Sequence, residues 1–198
     1  QQVHLYPGAR YDGVYGMWYG KGPGVDRSGD VFKHANYAGT SKHGGVVALA
    51  GDDHMAKSST VAHQSEPAFM AAGMPVIHPA GVQEYLDFGL HAFAMSRYSG
   101  LWVAFKVLSE TVDSSASVHI DPHRVEIHTP TDFVLPPDGV HIRWPDDWLG
   151  QERRVITVKQ PAALAYWRAN RLDRVMLGRP DARFGIVTVG KSYLDVRQ

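Results

Sequence analysis

GMWYGKGPGVDRSGD, residues 16–30, is the stretch that decides the fold of this chain. An apolar run at 14–19 leads into four glycines within residues 16–24, and Asp26, Arg27 and Ser28 then have the composition of a helix N-terminal cap. Glycines let backbone N–H groups approach a ligand closely, and a helix N-terminus favours anions. The stretch predicts a strand, a glycine-rich loop and a helix, and it suits a structural turn as well as an anion cradle.

The glycine-rich loop does not match the standard nucleotide-binding motifs. Lys21 precedes the glycines and no Gly-Lys-Ser/Thr follows, which excludes a P-loop, and the glycines lack a clean G-x-G-x-x-G spacing. Lys21, Asp26 and Arg27 can still bind phosphate or carboxylate, since Arg27 offers a forked pair of donors. The alternative is a surface ion pair between Asp26 and Arg27, or simple helix capping.

Strand and helix patterns alternate beyond this stretch. Continuous apolar runs at 46–50, 74–77 and 101–108 are typical of parallel strands buried on both faces, and 81–98 has the apolar spacing of a helix. This alternation predicts an α/β fold with an open parallel sheet flanked by helices. Ligands bind such sheets outside the carboxyl ends of the strands, which draws attention to 20–27, 52–64, 78–79 and 109–117.

The pattern changes near residue 129. Residues 130–151 are rich in proline and have little periodicity, which predicts a connector, and a helix is expected at 161–174. The apolar run at 183–189 predicts a strand followed by the start of a helix. Such a unit cannot bury its faces alone, so we expect a piece of a longer polypeptide, divided at 1–128, 129–182 and 183–198.

Composition excludes several classes of protein. Twenty basic and twenty acidic residues give no net charge, which argues against a nucleic-acid or membrane-surface partner. The chain has no cysteine, so it cannot itself hold disulfides, zinc thiolates or cysteine-ligated iron–sulfur clusters. No apolar run is long enough to cross a bilayer and no signal peptide opens the chain, so a cytoplasmic location is expected.

Polar residues follow the second predicted strand. Asp52, Asp53 and His54 can reach a ligand from the strand end, although Asp52 can instead cap the following turn. We do not expect a metal site, because His63 is the nearest further ligand and no H-E-x-x-H spacing exists.

Ser58, Ser59, His63 and Gln64 form a second polar group downstream of that strand. Serine and histidine suggest nucleophilic catalysis, but no G-x-S-x-G elbow surrounds either serine, so we expect no hydrolase triad. The alternative is a polar loop packed over a helix. Lys106, within the apolar run LWVAFKVL, either lies at a strand edge, which we favour, or reaches a buried partner.

These blocks together resemble one enzyme family. GMWYGKGPGVDRSGD, VFKHANYAGTSKHGGVVALAGDDH, MPVIHPAGVQEYLDFGLHAFAMSRYSGLWVAFKVLSETVDSSASV and GIVTVGKSYLDV are similar to the fused bacterial indolepyruvate ferredoxin oxidoreductases, which belong to the thiamine-diphosphate-dependent 2-oxoacid:ferredoxin oxidoreductases. The resemblance covers essentially the whole chain. It implies an N-terminally truncated pyrimidine-type thiamine-diphosphate-binding domain, a connector, and the first strand and helix start of a transketolase-C-like domain.

The resemblance implies a reaction and its partners. The whole enzyme would decarboxylate an aryl 2-oxoacid such as indolepyruvate on thiamine diphosphate, pass electrons through an iron–sulfur cluster to ferredoxin, and form an acyl-CoA from CoA. The diphosphate and Mg²⁺ would be held by a domain outside this chain, because GDDH is not the Gly-Asp-Gly…Asn motif of that site. The glutamate that engages the aminopyrimidine has no matching segment before Tyr11, and cluster-binding cysteines are absent. We therefore expect this chain alone to be inactive.

Residues 21–27 and 52–64 would form the wall over the thiamine ring and substrate. The implied catalytic residues are Lys21 and His54, the substrate-binding residues are Arg27, Asp53, Ser58, Ser59, His63 and Gln64, and the cofactor-facing residues are Gly22, Gly24, Asp26 and Asp52. Two alternatives stay open: a non-catalytic scaffold or interface domain, and an unrelated phosphate-binding α/β module.

Overall fold

Four parallel strands form the centre of the chain in a computed structural model that describes residues 13, 15–58 and 60–198. The strands are β1 (Tyr15–Lys21), β2 (Gly45–Asp52), β3 (Val76–Ile77) and β4 (Val103–Leu108). They lie in the order β1-β2-β4-β3, and every neighbouring pair is parallel. The expected open parallel α/β sheet is thus confirmed, as are strands within the three buried apolar runs.

Helices flank the sheet and connect its strands. They are α1 (Gly22–Arg27), α2 (Gly29–Ala38), α3 (Glu66–Ala71), α4 (Val82–Ser99), α5 (Ser109–Val112), α6 (Trp148–Arg154), α7 (Gln160–Ala169) and α8 (Lys191–Arg197), with a π-helical segment (Val155–Lys159) between α6 and α7. The predicted helix at 81–98 corresponds to α4. This helix ends at Gly100, whose φ of 73° is a left-handed conformation that favours glycine. Among the described residues, no helix combines the length and the apolar character needed to cross a membrane.

The two faces of the sheet pack against different helices. Val47 and Phe105 face the side where α4 and α7 contribute Met95 and Tyr166 to one apolar cluster. The opposite side holds a second cluster built from the strand alanines and from aromatic side chains of α2 and α3: Ala48, Ala50, Ala104, Phe32 and Phe69. Side chains alternate along a strand, so Lys106 points to this second side, two residues beyond Ala104.

The glycine-rich stretch differs from its prediction. Residues 22–27 form α1, which starts directly after β1 with Pro23 in its first turn, where proline is well tolerated. Asp26 and Arg27 lie inside this helix. Ser28 precedes α2, but its side chain makes no capping hydrogen bond. The expected helix start is therefore confirmed at Ser28, whereas the expected glycine-rich loop before it is wrong, because residues 22–27 are helical.

The C-terminal third also differs in part. The connector at 130–147 is irregular, as expected, but α6 and the π-helical segment precede α7, which ends at Ala169 rather than at 174. The run at 183–189 forms no strand, and Phe184 and Val187 are 87% and 94% exposed. A strand needs a neighbour for its backbone groups, and no described strand pairs with this run. The helix that follows is α8.

Candidate functional site

Parallel strands bring their carboxyl ends to one edge of the sheet, which we call the carboxyl edge. Lys21 ends β1, Asp52 ends β2, and the register places Asp52 opposite Leu108 of β4. The short strand β3 ends at Ile77, directly before His78. The polar segments that sequence alone placed after separate strands therefore share one edge.

A buried ion pair lies at the centre of the carboxyl edge. Lys106 Nζ lies 3.1 Å from Asp52 Oδ2 and also binds Glu66 of α3, and Lys106 and Asp52 are 1% and 2% exposed. The backbone N–H and the hydroxyl of Ser65 donate to the Asp52 carboxylate. Burial raises the pKa of Asp52, but the hydrogen bonds from Ser65 and Lys106 outweigh it and lower the pKa below its usual value. Asp52 is therefore a charged, structurally fixed carboxylate.

The pair of Lys106 and Asp52 contradicts two interpretations made from the sequence. Lys106 does not lie at a strand edge: β4 is an inner strand, and the lysine reaches buried partners. Asp52 does not cap the turn that follows β2. The turn is capped by Asp53, whose carboxylate accepts hydrogen bonds from the backbone N–H groups of Lys57 and Ser58 at 2.8 and 2.6 Å. The hydrogen bond from the Ser58 backbone N–H makes the largest contribution to the lowered pKa of Asp53.

The two sequence blocks implicated in the site meet at this edge. Lys21 Nζ donates to the carbonyl and the hydroxyl of Ser58, both at 2.9 Å. His63 Nε2 lies 3.0 Å from Asp26 Oδ2 of α1, and His63 Nδ1 lies 3.4 Å from Asp52 Oδ1. Contacts between residues 21–27 and 52–64 are therefore direct.

Gly22 is required by packing in this structure. A Cβ atom on Gly22 would lie 2.0 Å from Cγ and Nδ1 of the His63 ring, so the imidazole sits directly on the helix backbone. Gly24 has only the Trp18 ring near its Cβ position, at 3.9 Å. The glycines at 22 and 24 thus lie in a helix and not in an open anion cradle.

Several other predicted residues are at the surface. His54, Ser58, Gln64 and Arg27 are exposed. Ser59 lies outside the described residues, as does Val14 at the start of the predicted first strand. A surface depression is lined by residues of the connector and α7 that sequence analysis did not select: His128, Thr129, Thr131, Asp132, Arg168 and Ala169.

Metal-ligand types also occur at the carboxyl edge. Asp52, His54 and Glu66 each place one ligand atom within 4.8 Å of the others. The Lys106 ammonium already binds both carboxylates, so a positive charge from the same fold lies between them. This arrangement gives an ion-pair network, and we assign no metal to it.

Sequence analysis did not identify Glu66 and Ser65 as residues of this site, and it did not identify the neutral protonation state of His78. His78 Nε2 and Glu66 Oε2 are buried without a hydrogen-bond partner. Burial, reinforced by the nearby Lys106 charge, lowers the pKa of His78 to about 4, so its imidazole is neutral at pH 7. The sequence contained one signal for the buried carboxylates: a lysine inside a continuous apolar run, such as Lys106, needs charged partners in the interior.

The chain was also compared with known proteins. No protein-family model matches it, and neither a curated protein nor a solved structure gives a match.

Proposed function

We propose that this chain forms the aminopyrimidine and substrate side of a thiamine-diphosphate-dependent 2-oxoacid:ferredoxin oxidoreductase, in a pyrimidine-type thiamine-diphosphate-binding fold. One juxtaposition supports the proposal: the two blocks that the family resemblance places at the active site, 21–27 and 52–64, contact each other at the carboxyl edge. Ligands of parallel α/β sheets bind at that edge. The enzyme would act in the cytoplasm on an aryl 2-oxoacid, with ferredoxin as electron acceptor and CoA as co-substrate.

The donor set suits the ring side of the cofactor. The edge offers the carboxylate of Asp26, the imidazole of His54 and the exposed apolar side chains of Met55 and Val61, a mixture that suits a flat heterocycle with polar edges. Gly22 and Gly24 lie in α1 and form no cradle for a diphosphate, in line with the assignment of the diphosphate, Mg²⁺ and the iron–sulfur cluster to other domains. When bound, thiamine supplies the electron sink for the charge left as carbon dioxide departs.

Residues of this chain would position the substrate. The Lys21 ammonium, held by Ser58, is a cation at the mouth of the edge and suits the carboxylate of a 2-oxoacid. His54, which follows β2 at the carboxyl edge, is exposed and would handle a proton. Arg27, Gln64 and Ser58 are exposed polar side chains in the same two blocks and would supply further donors.

Kinetics of the complete enzyme test these roles. Lys21→Ala or His54→Ala should raise KM for the 2-oxoacid or lower kcat in an assay of CoA-dependent reduction of ferredoxin. The matched controls are Lys33→Ala on the exposed side of α2 and His123→Ala in the exposed segment before the connector, which should leave both constants unchanged. Wild-type constants in both site variants would overturn the placement of the site.

A scaffold or interface role is the second candidate, and one observation favours it. The face of β1 that carries Tyr15, Met17 and Tyr19 is exposed, with Tyr19 at 79%. Apolar surface of this kind marks contacts with other domains. This alternative expects no kinetic effect from Lys21→Ala or His54→Ala.

Thermal unfolding separates the third candidate, a phosphate-binding module. Thiamine diphosphate with Mg²⁺ should raise the Tm of the complete enzyme, whereas inorganic phosphate should not. Equal stabilisation by both ligands would favour a general phosphate site.

A further inference from the structure

His63 is held between two carboxylates that belong to different elements. Its Nε2 lies 3.0 Å from Asp26 Oδ2 in α1, and its Nδ1 lies 3.4 Å from Asp52 Oδ1 at the end of β2. An ionised carboxylate only accepts hydrogen bonds, and a neutral imidazole carries a proton on only one nitrogen. Both contacts are therefore satisfied together only by the imidazolium form of His63.

We propose that protonated His63, with Asp26 and Asp52, is a pH-sensitive latch that fastens α1 to the end of β2. The latch goes beyond the proposed function and does not depend on its chemistry. The backbone of His63 is held separately at the end of β2, because its N–H donates to the Asp53 carbonyl at 3.2 Å. The imidazole thus ties this end of β2 to the helix.

The His63 ring occupies a space beside the first turn of α1, which we call the seat. A Cβ on Gly22 would lie 2.0 Å from the ring, so the imidazole can settle against the first turn of α1 only because residue 22 has no side chain. The seat leaves 19% of the His63 side chain exposed, so a proton can reach it from solvent. The Asp26 side chain is 63% exposed and closes the outer side of the seat.

Charges on the surrounding elements favour the protonated form. The two nearest groups are the carboxylates of Asp26 and Asp52, whereas the nearest cations are engaged elsewhere: Lys106 of β4 binds the other oxygen of Asp52 and also Glu66 of α3, and Lys21 of β1 binds Ser58. Burial lowers the pKa of His63, but the hydrogen bonds and charges of Asp26 and Asp52 outweigh it and raise the pKa.

The raised pKa of His63 determines how the latch responds to pH. A histidine with a raised pKa in the folded state stabilises the fold fully below its unfolded value near pH 6.5. That stability is lost as the pH rises through the folded-state pKa. The latch is therefore closed at lower pH and opens as the pH increases, which releases the His63 ring from α1.

NMR of the chain tests the latch directly. In the wild type, the nuclear Overhauser contact between the His63 ring and the Gly22 Hα protons should be strong near about pH 5.5 and severalfold weaker near about pH 9. Asp26→Asn removes one charge from an exposed position, so it should leave the fold intact and shift the midpoint of this change to lower pH. His63→Gln should abolish the pH dependence of backbone order in α1.

Asp30→Asn is the matched control. Asp30 forms an exposed pair with His34 in α2, at 3.5 Å and four residues apart, and has no contact with the latch. It should leave the His63 midpoint unchanged. A ring-to-Gly22 contact that is constant from about pH 5.5 to about pH 9, or an Asp26→Asn midpoint equal to that of the wild type, would overturn the proposal.

Discussion

Loss of the Lys106 ammonium should destabilise the fold by about 3–5 kcal/mol, because it leaves the buried Asp52 carboxylate without its ammonium partner. Lys106 Nζ and Asp52 Oδ2 are 3.1 Å apart, and two unit charges at that distance attract each other by about 5 kcal/mol at an effective dielectric constant of about 20. Desolvation of both ions opposes this attraction. The pair therefore contributes little net stability, although breaking it is costly.

A double-mutant cycle in urea measures this coupling. Lys106→Met should lower the free energy of unfolding by the amount above, with the m-value unchanged. Asp52→Asn keeps an amide oxygen that can accept from Ser65, and adding it to Lys106→Met removes the orphaned charge. The double variant should thus lose at least about 2 kcal/mol less than the sum of the single variants.

The control for this cycle is Lys191→Met. Lys191 pairs with Asp195 at the surface of α8, and its loss should change stability by no more than about 0.5 kcal/mol. Additive single effects, or a Lys106→Met cost below about 1 kcal/mol, would refute the argument that Asp52 depends on this ammonium.

Three further predictions concern stability. Burial lowers the pKa of Lys159 to about 8, so the unfolded state binds more protons above that pH, and the free energy of unfolding should rise by up to about 3 kcal/mol towards pH 10.5. Urea titrations of Lys159→Met should lack this rise. Burial lowers the pKa of His78 to about 4, so Tm should fall as the pH drops from 6.5 towards 4, and His78→Gln should flatten that fall. Gly100→Ala should cost at least about 1 kcal/mol more than Gly139→Ala: both have positive φ, but only at 100 would a Cβ meet a backbone oxygen, at 2.2 Å. Equal losses in urea would contradict the proposed clash.

The residues at the carboxyl edge could be predicted from the sequence only in part. Residues 52–54 were selected correctly as strand-end residues, because a buried parallel strand ends where polar residues begin. The alternative that Asp52 caps the following turn was wrong: Asp53 caps it, since the two neighbouring side chains point in different directions. The partners of Asp52 and Asp53 depend on which face of the sheet each side chain occupies. The sequence of one strand does not specify that face.

Local sequence determined the strands and the long helix. The apolar runs at 46–50 and 101–108 become inner parallel strands, and the 3.6-residue apolar spacing of 81–98 becomes α4, because each pattern matches the period of one backbone form. Only the tertiary structure decided which polar groups meet. Lys106 binds Asp52 because β4 inserts beside β2, and His63 reaches Asp26 because residues 22–27 close into a helix and not a loop. Strand order and loop closure depend on the packing of the whole chain, so local propensity cannot specify them.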